Sequence, residues 1–234
     1  MRNPILVALD VPNTERALAL AETLGPVVGG FKVGSELFTA AGPDIVRRLR
    51  GKGARVFLDL KFHDIPNTVA GAVAAVVRLD VQMLTVHVSG GSAMLRAAEE
   101  AAARTARELG RETPVVLGVT VLTSLEGKDL RETGLDGDVA RHVLRLAQLG
   151  VQAGLRGLVC SPREVAEVRK AVPAGTLLVT PGIRAEKSAV GDQKRVLGAR
   201  EALAAGADWL VIGRSISGAD DPRAAAEEVL ASLR

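Results

Sequence analysis

The sequence is poor in cysteine and in aromatic rings, and each shortage narrows what the chain can be. Cys160 is the one cysteine, so neither an intramolecular disulfide nor a thiolate zinc site can form, which removes the stapled secreted domains and the zinc ribbons. A reducing, cytoplasmic setting is the expectation. Tyrosine is absent and aromatic residues make up 2% of the chain, too few for the stacking platforms of single-strand nucleic-acid binders. Long apolar runs are lacking as well. The opening run Ile5–Leu9 is stopped by Asp10, short of a signal-peptide core, and no run reaches the roughly 18 apolar residues of a membrane helix. Thirty Lys and Arg against 27 Asp and Glu give a net charge of +3. The resulting pI of about 9.3 suits an anionic small molecule as well as nucleic acid on charge alone, but no block of five like charges offers a phosphate-tracking surface.

What is present is an ordinary globular composition. With 234 residues, 47% hydrophobic and 24% charged, and no linker-like stretch, one domain over residues 1–234 is expected. Short β-branched runs alternate with longer Ala/Leu/Arg-rich segments of helical period, the pattern of parallel strands joined by crossover helices. The strand candidates are Ile5–Leu9, Gly30–Val33, Arg55–Leu60, Met83–Val88, Val115–Val119, Gly157–Val159, Leu177–Thr180 and Trp209–Ile212. The intervening segments predict helices, among them Ser35–Arg50, Pro66–Leu79, Pro162–Ala171 and Pro222–Leu233. Pro12, Pro66, Pro162 and Pro222 stand where fixed-φ prolines open helices. Eight βα units in this length predict an α/β chain closed as a (β/α)8 TIM barrel. The doubly wound alternative lacks its G-x-G-x-x-G after the first strand, which ends Leu9-Asp10-Val11-Pro12.

In a barrel the site lies at the C-terminal strand ends, so charges closing apolar runs carry weight. Asp10 ends the first strand, Lys32 interrupts the second, and the third runs Phe57-Leu58-Asp59-Leu60-Lys61-Phe62-His63-Asp64. Period-two alternation turns Asp59 and Lys61 to one face, into the mouth, and Leu58, Leu60 and Phe62 to the other. Isolated charges there are costly to desolvate, so an alternating array of Asp10, Lys32, Asp59, Lys61 and Asp64 is expected. A plain structural salt bridge is the competing reading, and Asp64, before Ile65-Pro66, also reads as a helix-start residue.

A second group points to an anion. Thr180-Pro181-Gly182-Ile183-Arg184 and Ile212-Gly213-Arg214-Ser215 follow the last two strands, the usual phosphate position of barrels, where glycine admits backbone N–H groups and arginine contacts phosphate. The bland alternative is a turn with a solvated arginine. The polar segment Ala185–Arg195, with Gln193, reads as a lid or as a surface loop. Thr123 and Ser124 are placed to bond a ligand edge or to make a turn. His63, His87 and His142 lack metal-ligand spacing, and Cys160 reads as a small buried hydrophobe.

The run Phe57–Val69 closely resembles the signature of the orotidine 5′-phosphate decarboxylase family. The resemblance extends through Ala8-Leu9-Asp10, Phe31-Lys32-Val33-Gly34, Val86-His87-Val88-Ser89-Gly90-Gly91, Val121-Leu122-Thr123-Ser124, Thr180–Arg184, Gly191–Arg195 and Ile212–Ile216. It implies a homodimeric (β/α)8 barrel converting orotidine 5′-monophosphate (OMP) to UMP and CO2, the last step of de novo pyrimidine nucleotide synthesis, with no metal or organic cofactor. It further implies that Lys32, Asp59, Lys61 and Asp64 form a charged tetrad, with Asp64 and Thr68 reaching the partner subunit's site. By the same resemblance Asp10 and Lys32 contact ribose hydroxyls and Thr123 the pyrimidine, while Arg184, Gln193, Gly213 and Arg214 grip phosphate. Lys61 is then the proton donor. The 3-hexulose-6-phosphate synthase and keto-gulonate-phosphate decarboxylase relatives share D-x-K-x-x-D but use Mg²⁺. Their second strand resembles a glutamate-bearing metal site, where this chain has Lys32.

Overall fold

A computed structural model of the chain describes residues 3–184 and 197–233. Eight parallel strands close on themselves: β1 (Ile5–Ala8), β2 (Gly30–Gly34), β3 (Val56–Phe62), β4 (Met83–His87), β5 (Val115–Val119), β6 (Gly157–Val159), β7 (Leu177–Pro181) and β8 (Trp209–Ile212). Neighbours in sequence are neighbours in the sheet, and β8 returns to β1 through Ile5↔Leu210 and Leu6↔Val211. Helices alternate with the strands, so the fold is the (β/α)8 barrel that the alternating pattern predicts.

Alternation along each strand supplies two cores. Leu6, Phe57, Met83, Leu117, Val179 and Trp209 fill the barrel interior. Their strand neighbours, such as Val7, Leu58, Leu84 and Leu210, pack outward against the helices. Burying each such side chain stabilises the fold by about 1.5–3 kcal/mol before entropy is counted. The interior is therefore filled below and open only at its C-terminal end, which fixes where a ligand can enter.

Local chemistry explains where expectation and structure part. Pro66 and Pro222 do open helices, Pro66–Val77 and Pro222–Ser232. Pro12 instead precedes Asn13, whose side chain caps the helix Thr14–Leu24 by accepting from the Arg16 N–H at 3.0 Å. Pro162 lies in a turn before the helix Val165–Ala171, where Glu164 accepts from the Ser161 N–H at 3.1 Å. The single helix expected over Ser35–Arg50 is two, Ser35–Ala41 and Asp44–Gly51. Gly42 at φ +64° and Pro43 break it, because one leaves the helical basin and the other cannot donate. Two short helices, Gly127–Glu132 and Arg214–Ser217, were not expected. Among the described residues no helix is long and apolar enough to cross a membrane.

Candidate active site

The C-terminal strand ends and the loops beyond them enclose a cavity of about 890 Å³. Its floor is apolar, made by Ala8, Phe57 and Val211 from the interior core, and its wall carries the charges. Asp10, Lys32, Asp59, Lys61, Thr123, Gly213 and Arg214 all line it. Placement on five different strands and the loops that follow them makes this convergence tertiary, beyond anything one segment could build.

The charges alternate. The Lys32 ammonium lies 2.9 Å from Asp10 Oδ1 and 3.8 Å from Asp59 Oδ2, and Lys61 Nζ lies 2.9 Å from the same Asp59 oxygen. The Lys32 and Asp59 side chains are each 12% exposed, whereas Lys61 is 34% and Asp10 49% exposed. Two charges thus sit deep and two face the opening. At such separations an opposite pair gains about 4 kcal/mol at an effective dielectric near 20, enough to hold lysines beside an apolar floor only because each deep charge has partners of opposite sign.

Strand β3 reaches this geometry by an irregular path. Asp59 and Lys61 face the cavity, and Leu58, Leu60 and Phe62 pack outward, as alternation predicts. Yet Lys61 has φ +52°, a left-handed conformation that costs an L-residue about 1–2 kcal/mol. The pairing with β4 also shifts between Leu58↔Leu84 and Phe62↔Val86. The buried Thr85 fills the gap: its hydroxyl accepts from the Lys61 N–H at 2.9 Å and donates to Asp59 Oδ1 at 3.0 Å. Strain at one residue, held by its surroundings, is characteristic of functional sites.

Asp64 does not join the array within its own chain. It is exposed, its carboxylate accepts from the Ile65 N–H at 2.6 Å, and no ion pair links it to Lys32 or Lys61 among the described residues. The helix-start reading of Asp64 is met in part: it satisfies one backbone amide just before the helix Pro66–Val77, but Ile65 occupies the cap. Thr68, on that helix, is exposed and outside the cavity lining. Residues 63–68 are all exposed, with Ile65 67% exposed. Arg184 lies on the short strand Ile183–Arg184, paired with Leu197–Gly198, and its side chain is not among those described. Gln193 and the expected lid, 185–195, lie outside the described residues.

Four lining or supporting residues escaped sequence reasoning. Gly34 shares the face of Lys32, and a methyl group there would lie 2.8 Å from Lys32 Nζ and 3.2 Å from Asp10 Oδ1, so its bareness makes room for the ion pair. The Lys-x-Gly spacing was the available signal. Thr85 announced itself only as a hydroxyl within the apolar run Met83–His87. Glu36 lines the rim, and Cys160 is both buried, as expected, and part of the cavity wall. The His63 and His87 rings stand 5.5 Å apart. Burial first, then the nearby His63 and Lys61, hold the His87 imidazole below the ordinary histidine range, against a smaller upward pull from Asp59, so it is neutral at pH 7.

Comparison with known proteins adds to this geometry. A family model described as "Orotidine 5'-phosphate decarboxylase / HUMPS family" matches residues 3–229. The orotidine 5'-phosphate decarboxylase of Moorella thermoacetica is 52% identical over 233 residues, 99% of this chain and 92% of the relative. That of Pseudomonas aeruginosa is 52% identical over 232 residues, 99% of this chain and 98% of the relative. Among solved structures, the orotidine 5'-phosphate decarboxylase of Lactobacillus acidophilus superposes with a TM-score of 0.87 at 36% identity, covering 99% of both chains. An uncharacterized conserved protein of Geobacillus kaustophilus gives 0.86 at 34% identity, over 99% of this chain and all of the other.

Proposed function

The chain belongs to the orotidine 5′-phosphate decarboxylase / HUMPS family, and from that premise we propose that it is a lyase that decarboxylates OMP to UMP and CO2 in pyrimidine nucleotide synthesis. The observation that carries the reading is the alternating Asp10–Lys32–Asp59–Lys61 array on the wall of a nucleotide-sized cavity.

Cleavage of the bond between C6 and the carboxylate releases CO2 and leaves its electron pair at C6. That carbanion is poorly stabilised by water. A fixed ammonium beside it stabilises charge present only as the bond breaks, which is what raises a rate. Lys61 fills that role and then transfers a proton to C6, completing UMP, and regains its proton from solvent. Asp59 holds both lysines in place and lies near the departing carboxylate. Asp10 and Lys32 bind ribose hydroxyls, Thr123 the pyrimidine edge, and Gly213 and Arg214 the phosphate, with Arg184 and Gln193 closing over it. Asp64 and Thr68, exposed on their own chain, complete the site of a second subunit in a cytoplasmic, single-domain homodimer.

No metal or organic cofactor is required on this reading. Lys32 stands between the Asp10 and Asp59 carboxylates, where a divalent cation would meet a like charge. The test is ultraviolet monitoring of OMP in excess EDTA. Prompt loss of the substrate band is expected; no turnover of OMP without added Mg²⁺ would favour the sugar-phosphate branch of its family.

A further inference from the structure

We propose that Thr85 is a positioning residue for decarboxylation, its hydroxyl clamping Asp59 and the backbone of Lys61 so that the ammonium is held at the reacting carbon. This rests on the decarboxylase reading above and goes beyond it by naming what builds the array.

Between paired positions, β3 advances four residues, from Leu58 to Phe62, while β4 advances two, from Leu84 to Val86. Asp59, Leu60 and Lys61 therefore stand opposite Thr85 alone. A bulge of this kind leaves backbone groups without ladder partners and bends the strand. The Thr85 hydroxyl replaces the missing partner. It accepts from the Lys61 N–H at 2.9 Å and donates to Asp59 Oδ1 at 3.0 Å, using one donor and one acceptor as a hydroxyl can. Asp59 Oδ2 meanwhile receives both ammonium groups. One carboxylate oxygen is thus committed to Thr85 and the other to the lysines, which sets the carboxylate's rotation.

The left-handed conformation of Lys61 needs such a hold. At φ +52° the residue sits above its preferred basins, and without a bond to its N–H the backbone would relax and carry the ammonium with it. Thr85 is fully buried, so water does not compete for the clamp. Thr85 is not among the residues that line the cavity, so its hydroxyl acts through Asp59 and Lys61.

The experiment compares wild type with Thr85→Val, which keeps the shape and deletes the hydroxyl, and Thr85→Ser, which keeps the hydroxyl and deletes the methyl. Thr85→Val is expected to lower kcat about 10- to 100-fold, the loss of a hydrogen bond to a charged group, with KM and UMP affinity within about twofold. Thr85→Ser should recover most of kcat. Amide hydrogen exchange at Lys61 should be slow in wild type and in Thr85→Ser, and at least about 10-fold faster in Thr85→Val. A Thr85→Val enzyme with wild-type kcat, or a Thr85→Ser enzyme impaired as deeply as Thr85→Val, overturns the proposal. If Thr85→Val does not fold, Thr85→Ser against Thr85→Ala decides by the same readouts. An inactive wild-type chain overturns the decarboxylase reading instead, and Lys61 exchange then decides the clamp on its own.

Discussion

At the N-terminal rim of the barrel, arginines close on the chain's own carbonyl oxygens. Arg169 donates to the carbonyls of Thr176 and Gly206 and to Asp208, whose carboxylate also accepts from the Leu178 N–H. Arg50 donates to the Ala54 carbonyl and to Asp80, and Arg156 to the Pro114 carbonyl. At the C-terminal rim, Lys32 and Lys61 meet carboxylates and the cavity. Both rims are charged, but they differ in what remains for a ligand. Groups spent on main-chain acceptors staple the loops that enter the strands, whereas lysines balanced only by side chains keep a field directed into open space.

Exchanging damage between the rims tests this contrast, and the largest effect belongs to the top. Lys61→Ala should lower OMP turnover by on the order of 10³-fold or more in a protein that still folds, with a modest loss of stability because Asp59 keeps only Lys32 as a cationic partner among the described residues. Appreciable residual turnover in steady-state assays would break the contrast. Arg214→Ala, at the same rim but exposed, should raise KM about 10- to 100-fold with a smaller change in kcat if it grips phosphate as proposed. Arg169→Ala inverts the pattern: urea unfolding should show a loss of about 2–3 kcal/mol, while kcat stays within about twofold. Loss of catalysis in a folded Arg169→Ala protein would show that the rims do not divide the labour.

The smallest effect sharpens the picture below the mouth. Glu99 is largely buried, its Oε1 has no hydrogen-bond partner among the described residues, and Arg156 lies 3.8 Å from Oε2. Burial therefore raises its carboxyl above the usual carboxylate range, with Arg156 opposing. A raised folded value means that folding disfavours the charged form, so Glu99 detracts from stability increasingly as pH rises from about 4.5, the unfolded value. Glu99→Gln should accordingly raise Tm slightly at pH 7, with the gain vanishing near pH 4; a lowered Tm at pH 7 would reverse the assignment.

Periodicity carried most of the fold, because parallel strands buried on both faces read as short apolar runs such as Ile5–Ala8 and Trp209–Ile212. It failed where one residue's backbone overrides a segment's pattern: Gly42 splitting Ser35–Arg50, and Lys61 bending β3. Charges within apolar runs marked Asp10, Lys32, Asp59 and Lys61, since alternation gives facing without a partner's help. Thr85 and Gly34 stayed hidden because their part depends on register with another strand or on the reach of a neighbouring side chain. Asp64 and Thr68 lie exposed, outside the array and the cavity lining, so neither this chain's pattern nor its own contacts seats them in a site.

The central claim is that the array at the mouth is built to receive negative charge at C6. It is tested most directly by the affinity of the wild-type enzyme and Lys61→Ala for UMP and for a UMP analogue bearing a fixed oxyanion at C6. The account predicts that wild type binds the anionic analogue about 10²-fold or more tighter than UMP and that Lys61→Ala loses this preference. Equal affinity of the wild-type enzyme for the two ligands would contradict it.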